Sequence, residues 1–257
     1  SELEAELRRF PDDKPLLQRQ ADSRARAEEL TLARRVQAEH VKQQLQTQRR
    51  MVPAIGDLIS QCFYDGELAS DRAEELSELR RLFTPVTWFD TSDMPARAED
   101  AHGDETPSIS NACEAKVVVR QVEILDHYLA STYGTRRHHV LVIAPYRRQV
   151  EELERRLASV TLAVCDVEVN TVDAVQGREA DFTFFSVTRS NALGKLGFLG
   201  PAFRRRINVA LSRSRHGLFI VGDGNFCAQS SGPLADVLAH IRQHPATCDL
   251  LAVSGDA

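Results

Sequence analysis

The sequence predicts an α/β fold: one parallel sheet flanked by helices on both faces, preceded by a helical N-terminal arm. Three observations predict it. Short, nearly continuous apolar runs recur at Val140–Ala144, Phe182–Val187 and Leu218–Val221, and runs of that length read as strands buried on both sides. Segments with helical spacing separate them, so the alternation is β-α-β and calls for crossover helices. The chain has 257 residues, 42% of them hydrophobic, enough for one sizeable core.

Residues 1–45 are charged and helix-prone, but Leu30, Leu32, Val36, Val41 and Leu45 keep no heptad spacing, so they read as a helical arm rather than a coiled coil. Met51, Ile55, Leu58, Ile59 and Phe63 recur at helical intervals; Pro53 suits the first turn of that helix. Asp65-Gly66 supplies a turn. A short charged helix is expected near Glu74–Leu82 and a strand at Pro85–Phe89. Residues 92–110 are acidic and punctuated by Pro and Gly, a surface loop. Asn111–Ala130 is a helix with an inward stripe of Val117, Val118, Val122, Leu125 and Leu129. Pro145 ends the strand Val140–Ala144, and a helix runs over Tyr146–Leu157. Val167–Thr171 is a further strand. The last helix is Gly232–His244, and the final dozen residues are expected to fray. The domain bounds are therefore 1–45 for the arm, 46–245 for the α/β domain and 246–257 for a frayed tail.

In open parallel sheets ligands collect at the carboxyl ends of the strands. The residues to weigh first are those just after the strands and those on the helix facing that edge. Net charge is -5, so the whole surface is no polyanion magnet. The arginines nonetheless cluster, as at Arg49/Arg50, Arg136/Arg137, Arg204/Arg205/Arg206 and Arg213/Arg215, and a local basic stripe binds phosphates inside an acidic total. Five scattered cysteines with no C-x-x-C argue against zinc or a disulfide framework, and no metal site is expected. No apolar run approaches membrane-spanning length and no signal pattern is present, which leads us to expect a cytoplasmic or nuclear protein. The first residues, SELEAELRRF, carry no Met and suggest a piece of something longer.

A phosphate-binding loop of the form G-x-x-x-x-G-K-[ST] is absent: Gly194-Lys195 is followed by Leu196 and lacks the earlier glycine. No apolar strand runs into an acidic pair able to hold magnesium. By itself the chain is expected not to hydrolyse ATP, because phosphate binding leans on that loop's backbone N–H groups.

What is present resembles the complementary half of a motor. TVDAVQGREAD followed by INVALSRSRHGLFIVGD resembles motifs V and VI of superfamily 1 helicases, in the branch that contains the nonsense-mediated-decay helicase and Senataxin. QRRMVPAIGDLISQCFYDGEL, SISNACEA, VLVIAPYRRQVEELERRL, FSVTRSN and GFL resemble further family segments, in the family's order. The resemblance covers the chain from about Gln48 to the C-terminal helix. It implies a RecA-like domain, the second of two, with residues 1–45 a remnant of the inter-domain segment.

The family's roles carry over onto matching residues. Arg50 and Arg213 match arginines that reach the γ-phosphate of ATP bound by the first RecA-like domain. Two guanidiniums would offer forked donors to phosphate oxygens. Glu179, with Gln176 and Gly177, matches the motif V loop near the nucleotide. Asn208 matches a motif VI residue that braces that loop. Pro145, Tyr146, Thr171 and Arg189 lie where the family touches or supports single-stranded RNA or DNA, although core packing is an equal reading of Tyr146. The resemblance implies ATP and Mg2+, both held mainly by the missing first domain of the same protein, and no membrane partner. Departures leave a second reading open. Arg49 stands where the family has a base-stacking tyrosine, and Pro15 and Pro11 replace a glutamine and a glycine. On that reading the chain is a non-catalytic nucleic-acid or protein interaction module derived from a helicase.

Overall fold

The structure, a computed structural model, describes Pro15, Gln18 and residues 21–33, 47–72, 83–101 and 108–254. Two compact units divide the chain at Thr47 and Gln48. In the first, residues 21–33 are helical and exposed. The expected helix near Glu74–Leu82 lies outside the described residues.

The second unit is built on six parallel strands: β1 (Val86–Asp90), β2 (His138–Ala144), β3 (Cys165–Thr171), β4 (Ala180–Ser186), β5 (Ser214–Gly222) and β6 (Cys248–Ala252), in the spatial order β6-β1-β5-β4-β2-β3. The helices are α1 (Pro53–Phe63), α2 (Ala112–Tyr133), α3 (Arg147–Leu157), α4 (Arg204–Leu211), α5 (Gly224–Ala228) and α6 (Pro233–Gln243). Alternation along each strand sends side chains to two separate cores. Val86, Trp88, Leu141, Ile143, Leu218 and Ile220 pack under α1, α4 and α6. Val140, Val142, Phe184, Phe219 and Val221 pack under α2 and α3. Burial of α6's Leu234, Val237, Leu238 and Ile241 contributes roughly 2 kcal/mol per side chain before the entropic cost of ordering.

The expected frayed tail is corrected. β6 pairs with β1 in register from Cys248↔Val86 to Ala252↔Asp90. A segment as short as CDLLA carries too weak a period to read from sequence; the unpaired edge of β1 supplies the ladder partners. The expected loop 92–110 also holds a small antiparallel pair, Asp100–Ala101 with Ile109–Ser110. Pro53 opens α1 as expected.

Candidate functional site

The predicted residues divide between the two opposite edges of the sheet. At the amino ends, Ala180 pairs with Ser214, which places Glu179 and Arg213 side by side just ahead of β4 and β5. The turn from β3 to β4 delivers Glu179. Gly177 in it has a φ of +84°, a left-handed conformation that glycine adopts without strain. Gln176 and Gly177 are exposed there.

Arg50 comes to the same rim from ahead of α1. Its Nε donates to Glu179 at 3.0 Å and one terminal nitrogen donates to the Ser212 carbonyl at 3.1 Å. Its other terminal nitrogen has no partner among the described residues. Arg213 is 9% exposed. It donates to the carbonyls of Val209 (2.7 Å) and Arg178 (2.9 Å) and to the Ser212 hydroxyl (3.1 Å). Both guanidiniums therefore converge on Ser212. They differ in presentation: Arg50 keeps open donors, whereas Arg213 spends three of its five N–H groups inside the chain and forms no ion pair among the described residues. Burial, then the charge of Arg50, lowers the Arg213 pKa, while Glu179 opposes.

Glu179 accepts Arg215 as well as Arg50. Burial alone would raise its carboxyl, but the bonds from these arginines outweigh it and hold the group below the usual carboxylate range. Asn208 donates to the Tyr64 hydroxyl at 3.0 Å, so it braces the end of α1 rather than the motif V loop. Arg49 pairs with Asp71 at 2.9 Å. Beside this rim lies a cleft of about 650 Å³ that runs from Arg50 and Glu179 to Arg136 and His138.

This arrangement corrects one expectation. The ligand chemistry is expected just after the strands, yet the arginine pair and Glu179 sit at the amino ends. The carboxyl edge holds the other set. Pro145 follows β2 and Thr171 ends β3, where it pairs with Ala144; both are half-buried.

Two of the predicted nucleic-acid residues are otherwise engaged. Tyr146 is 5% exposed. Its hydroxyl accepts the Phe198 N–H at 3.2 Å and its ring meets Phe198 edge-on. Gly197, with a φ of +54°, makes room, since a Cβ there would lie 2.5 Å from that hydroxyl. Tyr146 thus packs against the loop at Phe198, in line with the packing alternative. Arg189 is 11% exposed and pairs at 2.9 Å with Glu99, itself 8% exposed; its Nε also donates to the Lys195 carbonyl at 2.9 Å. A carboxylate within the chain thus already pairs with it, which fits a supporting place at this edge.

Beneath the carboxyl edge is a buried polar lattice whose residues belong to the segments SISNACEA, VLVIAPYRRQVEELERRL and FSVTRSN, none of them expected to form a site together. Asn111 caps α2, its side-chain oxygen accepting the Glu114 N–H at 3.0 Å. Glu114 accepts the Thr188 N–H and the Ser186 hydroxyl, both at 2.7 Å. Gln149 of α3 donates to the Asn111 carbonyl at 3.2 Å and to Ser186 at 3.0 Å. The lattice ties α2 and α3 to the end of β4. The spacing N-x-x-E ahead of an apolar helix, the signature of a helix start, was the signal available for Asn111 and Glu114.

Among the described residues, no group of three His, Cys, Asp or Glu side chains is placed to hold a metal. No described helix is long and apolar enough to cross a membrane. All five cysteines are buried and free, and burial pushes the thiols of Cys62 and Cys165 up to about 12.

The fold is α/β and RecA-like, one parallel sheet with helices on both faces. A family profile described as "AAA domain" matches residues 28–225. The chain is 33% identical over 187 residues to "Probable helicase MAGATAMA 3" of Arabidopsis thaliana, covering 69% of this chain and 22% of that protein. It is 34% identical over 206 residues to "DNA replication ATP-dependent helicase/nuclease DNA2" of Xenopus laevis (70% and 18%). It is 31% identical over 201 residues to "DNA polymerase alpha-associated DNA helicase A" of Schizosaccharomyces pombe (74% and 29%). The chain spans under a third of the length of these relatives. It belongs to the AAA-domain family as a C-terminal, second RecA-like domain of superfamily 1 helicases, in the branch of the nonsense-mediated-decay helicase and Senataxin.

Proposed function

We propose that this domain is the C-terminal motor half of an ATP-dependent helicase, supplying arginines to ATP and Mg2+ held mainly by the first RecA-like domain of the same protein. The observation that carries the reading is the convergence of Arg50 and Arg213 on Ser212, at the rim that also bears Glu179. Arg50 has unpaired N–H groups for phosphate oxygens. Arg213 stiffens the rim and adds fixed positive charge beside it. Guanidiniums so placed offset charge that develops on a transferring phosphoryl group. Glu179 and the exposed Gln176-Gly177 turn border the same space.

Single-stranded RNA or DNA would run along the opposite, carboxyl edge over Pro145 and Thr171. Contacts there are to the backbone, hence sequence-independent and salt-sensitive. Closure of the cleft between domains would move that edge along the strand.

The test is nucleic-acid-stimulated ATP turnover by the full-length parent protein. Arg50→Ala is expected to lower turnover by about a thousandfold with nucleic-acid binding retained. The isolated chain with ATP, magnesium and RNA is expected to release no phosphate, and appreciable release would refute this division of labour. The engagement of Arg213 and Arg189 within the chain favours a second reading, a non-catalytic interaction module. Unchanged turnover in Arg50→Ala, or none in the parent protein, would support it.

A further inference from the structure

We propose that the end of the cleft lined by Arg136 and His138 is a phosphate-binding site in its own right, separate from the Arg50–Arg213 rim. The first observation is a cation left over. Among the described residues the cleft is lined by the guanidiniums of Arg49, Arg50, Arg72, Arg136 and Arg215 and the carboxylates of Glu179 and Asp181, and Arg72 is engaged by the carbonyls of Arg50 and Arg215. Glu179 is taken by Arg50 and Arg215, and Arg49 turns to Asp71. Asp181 accepts the His139 N–H at 3.0 Å and faces His216 at 4.0 Å. Arg136 is exposed, and its guanidinium has neither hydrogen bond nor ion pair among the described residues.

The second observation is independent of charge. His138 is 6% exposed and also lines the cleft. Its Nε2 is buried with no hydrogen-bond partner, although groups so placed are nearly always paired. Burial lowers its pKa, opposed by Asp181 and assisted by Arg136, and either nitrogen of a neutral imidazole can carry the proton. A guanidinium without a partner among the described residues, in a cleft that His138 also lines, suits an anion that offers several oxygens. Phosphate does so, and charge-assisted bonds from arginine to phosphate are the strong kind. The cleft also has room for more than one phosphate group. The shared chemistry is the phosphate oxygen; its source is free phosphate or the phosphodiester backbone of a nucleic acid.

The experiment tracks the His138 ring resonances of the chain by NMR. Sodium phosphate is titrated in one arm and a single-stranded oligothymidylate in the other, with ionic strength held constant by chloride. The expected result is a saturable shift that Arg136→Gln weakens by about tenfold and that Arg155→Gln, at an exposed arginine of α3 paired with Glu152, leaves within about twofold. Arg136 is exposed, so the fold of Arg136→Gln is expected to stand, which its circular dichroism melt checks. Saturation by phosphate assigns the free anion, and saturation by the oligonucleotide alone assigns the backbone. No saturable shift in either arm, or an equal shift in Arg136→Gln, overturns the proposal. ATP turnover is not read, so the outcome is independent of the motor reading.

Discussion

The fully buried carboxyl of Glu114 accepts the backbone N–H of Thr188 at 2.7 Å. Thr188 has a φ of +68°, costly for a β-branched residue. The bond holds the chain in this turn, which directs Arg189 to Glu99 and lets the Ser190 hydroxyl reach Asp223 at 2.7 Å.

Burial pushes the Glu114 carboxyl up to about 8, against the Thr188 N–H and the Ser186 hydroxyl, which favour its charged form. The folded chain therefore keeps a proton that the unfolded chain, with a value of 4.5, gives up. The stabilising contribution is fully present below about pH 4.5 and is lost as pH rises through about 8. Urea unfolding at pH 5 and pH 8 is expected to show a loss of a few kcal/mol in the parent chain. Glu114→Gln, which stays neutral and keeps an acceptor for Thr188, is expected to show a much smaller loss.

Removing Arg189 should act on stability before it acts on binding. Arg189→Ala strands the buried Glu99 carboxylate and is expected to cost about 3 kcal/mol, read by denaturant midpoint. The double variant Arg189→Ala/Glu99→Ala should recover a large part of that. A wild-type midpoint for the single variant, with weakened binding to oligonucleotides, would restore Arg189 as a phosphate contact.

Tyr146→Phe tests whether that ring is for packing. It deletes only the acceptor of the Phe198 N–H. The expected cost is about 1 kcal/mol in thermal or urea unfolding. Affinity for single strands should stay within about twofold at fixed salt.

Deleting residues 247–257 removes β6 and uncovers one edge of β1, whose Val86 and Trp88 are fully buried. The melting temperature is expected to drop by several degrees, since a few kcal/mol shifts a domain of this size by that much. An unchanged melt would mean that the tail contributes no more than a frayed end would.

Much of the fold was legible because its signals are local. The runs VLVIA, FTFFSV and LFIV are short, apolar and separated by helical spacing, and buried parallel strands need little more. Asn111 with Glu114, and Pro53, mark helix starts within four residues of chain. β6 was not legible. CDLLA has no period of its own and becomes a strand because β1 presents unpaired N–H and C=O groups to it.

The chemistry divides in the same way. By itself the sequence determined the residue types and their order: which arginines exist, that Gly177 can turn, and that these 257 residues hold no phosphate loop. Only the tertiary structure decided what each charge faces. It brought Arg50 and Arg213 from 163 positions apart to one residue, Ser212, at the amino rather than the carboxyl ends of the strands. It gave Glu99 to Arg189 and left Arg136 without a partner among the described residues. The physical reason is range: propensity and period act over a few residues, whereas an ion pair or a desolvated ring is set by neighbours that folding delivers from anywhere in the chain.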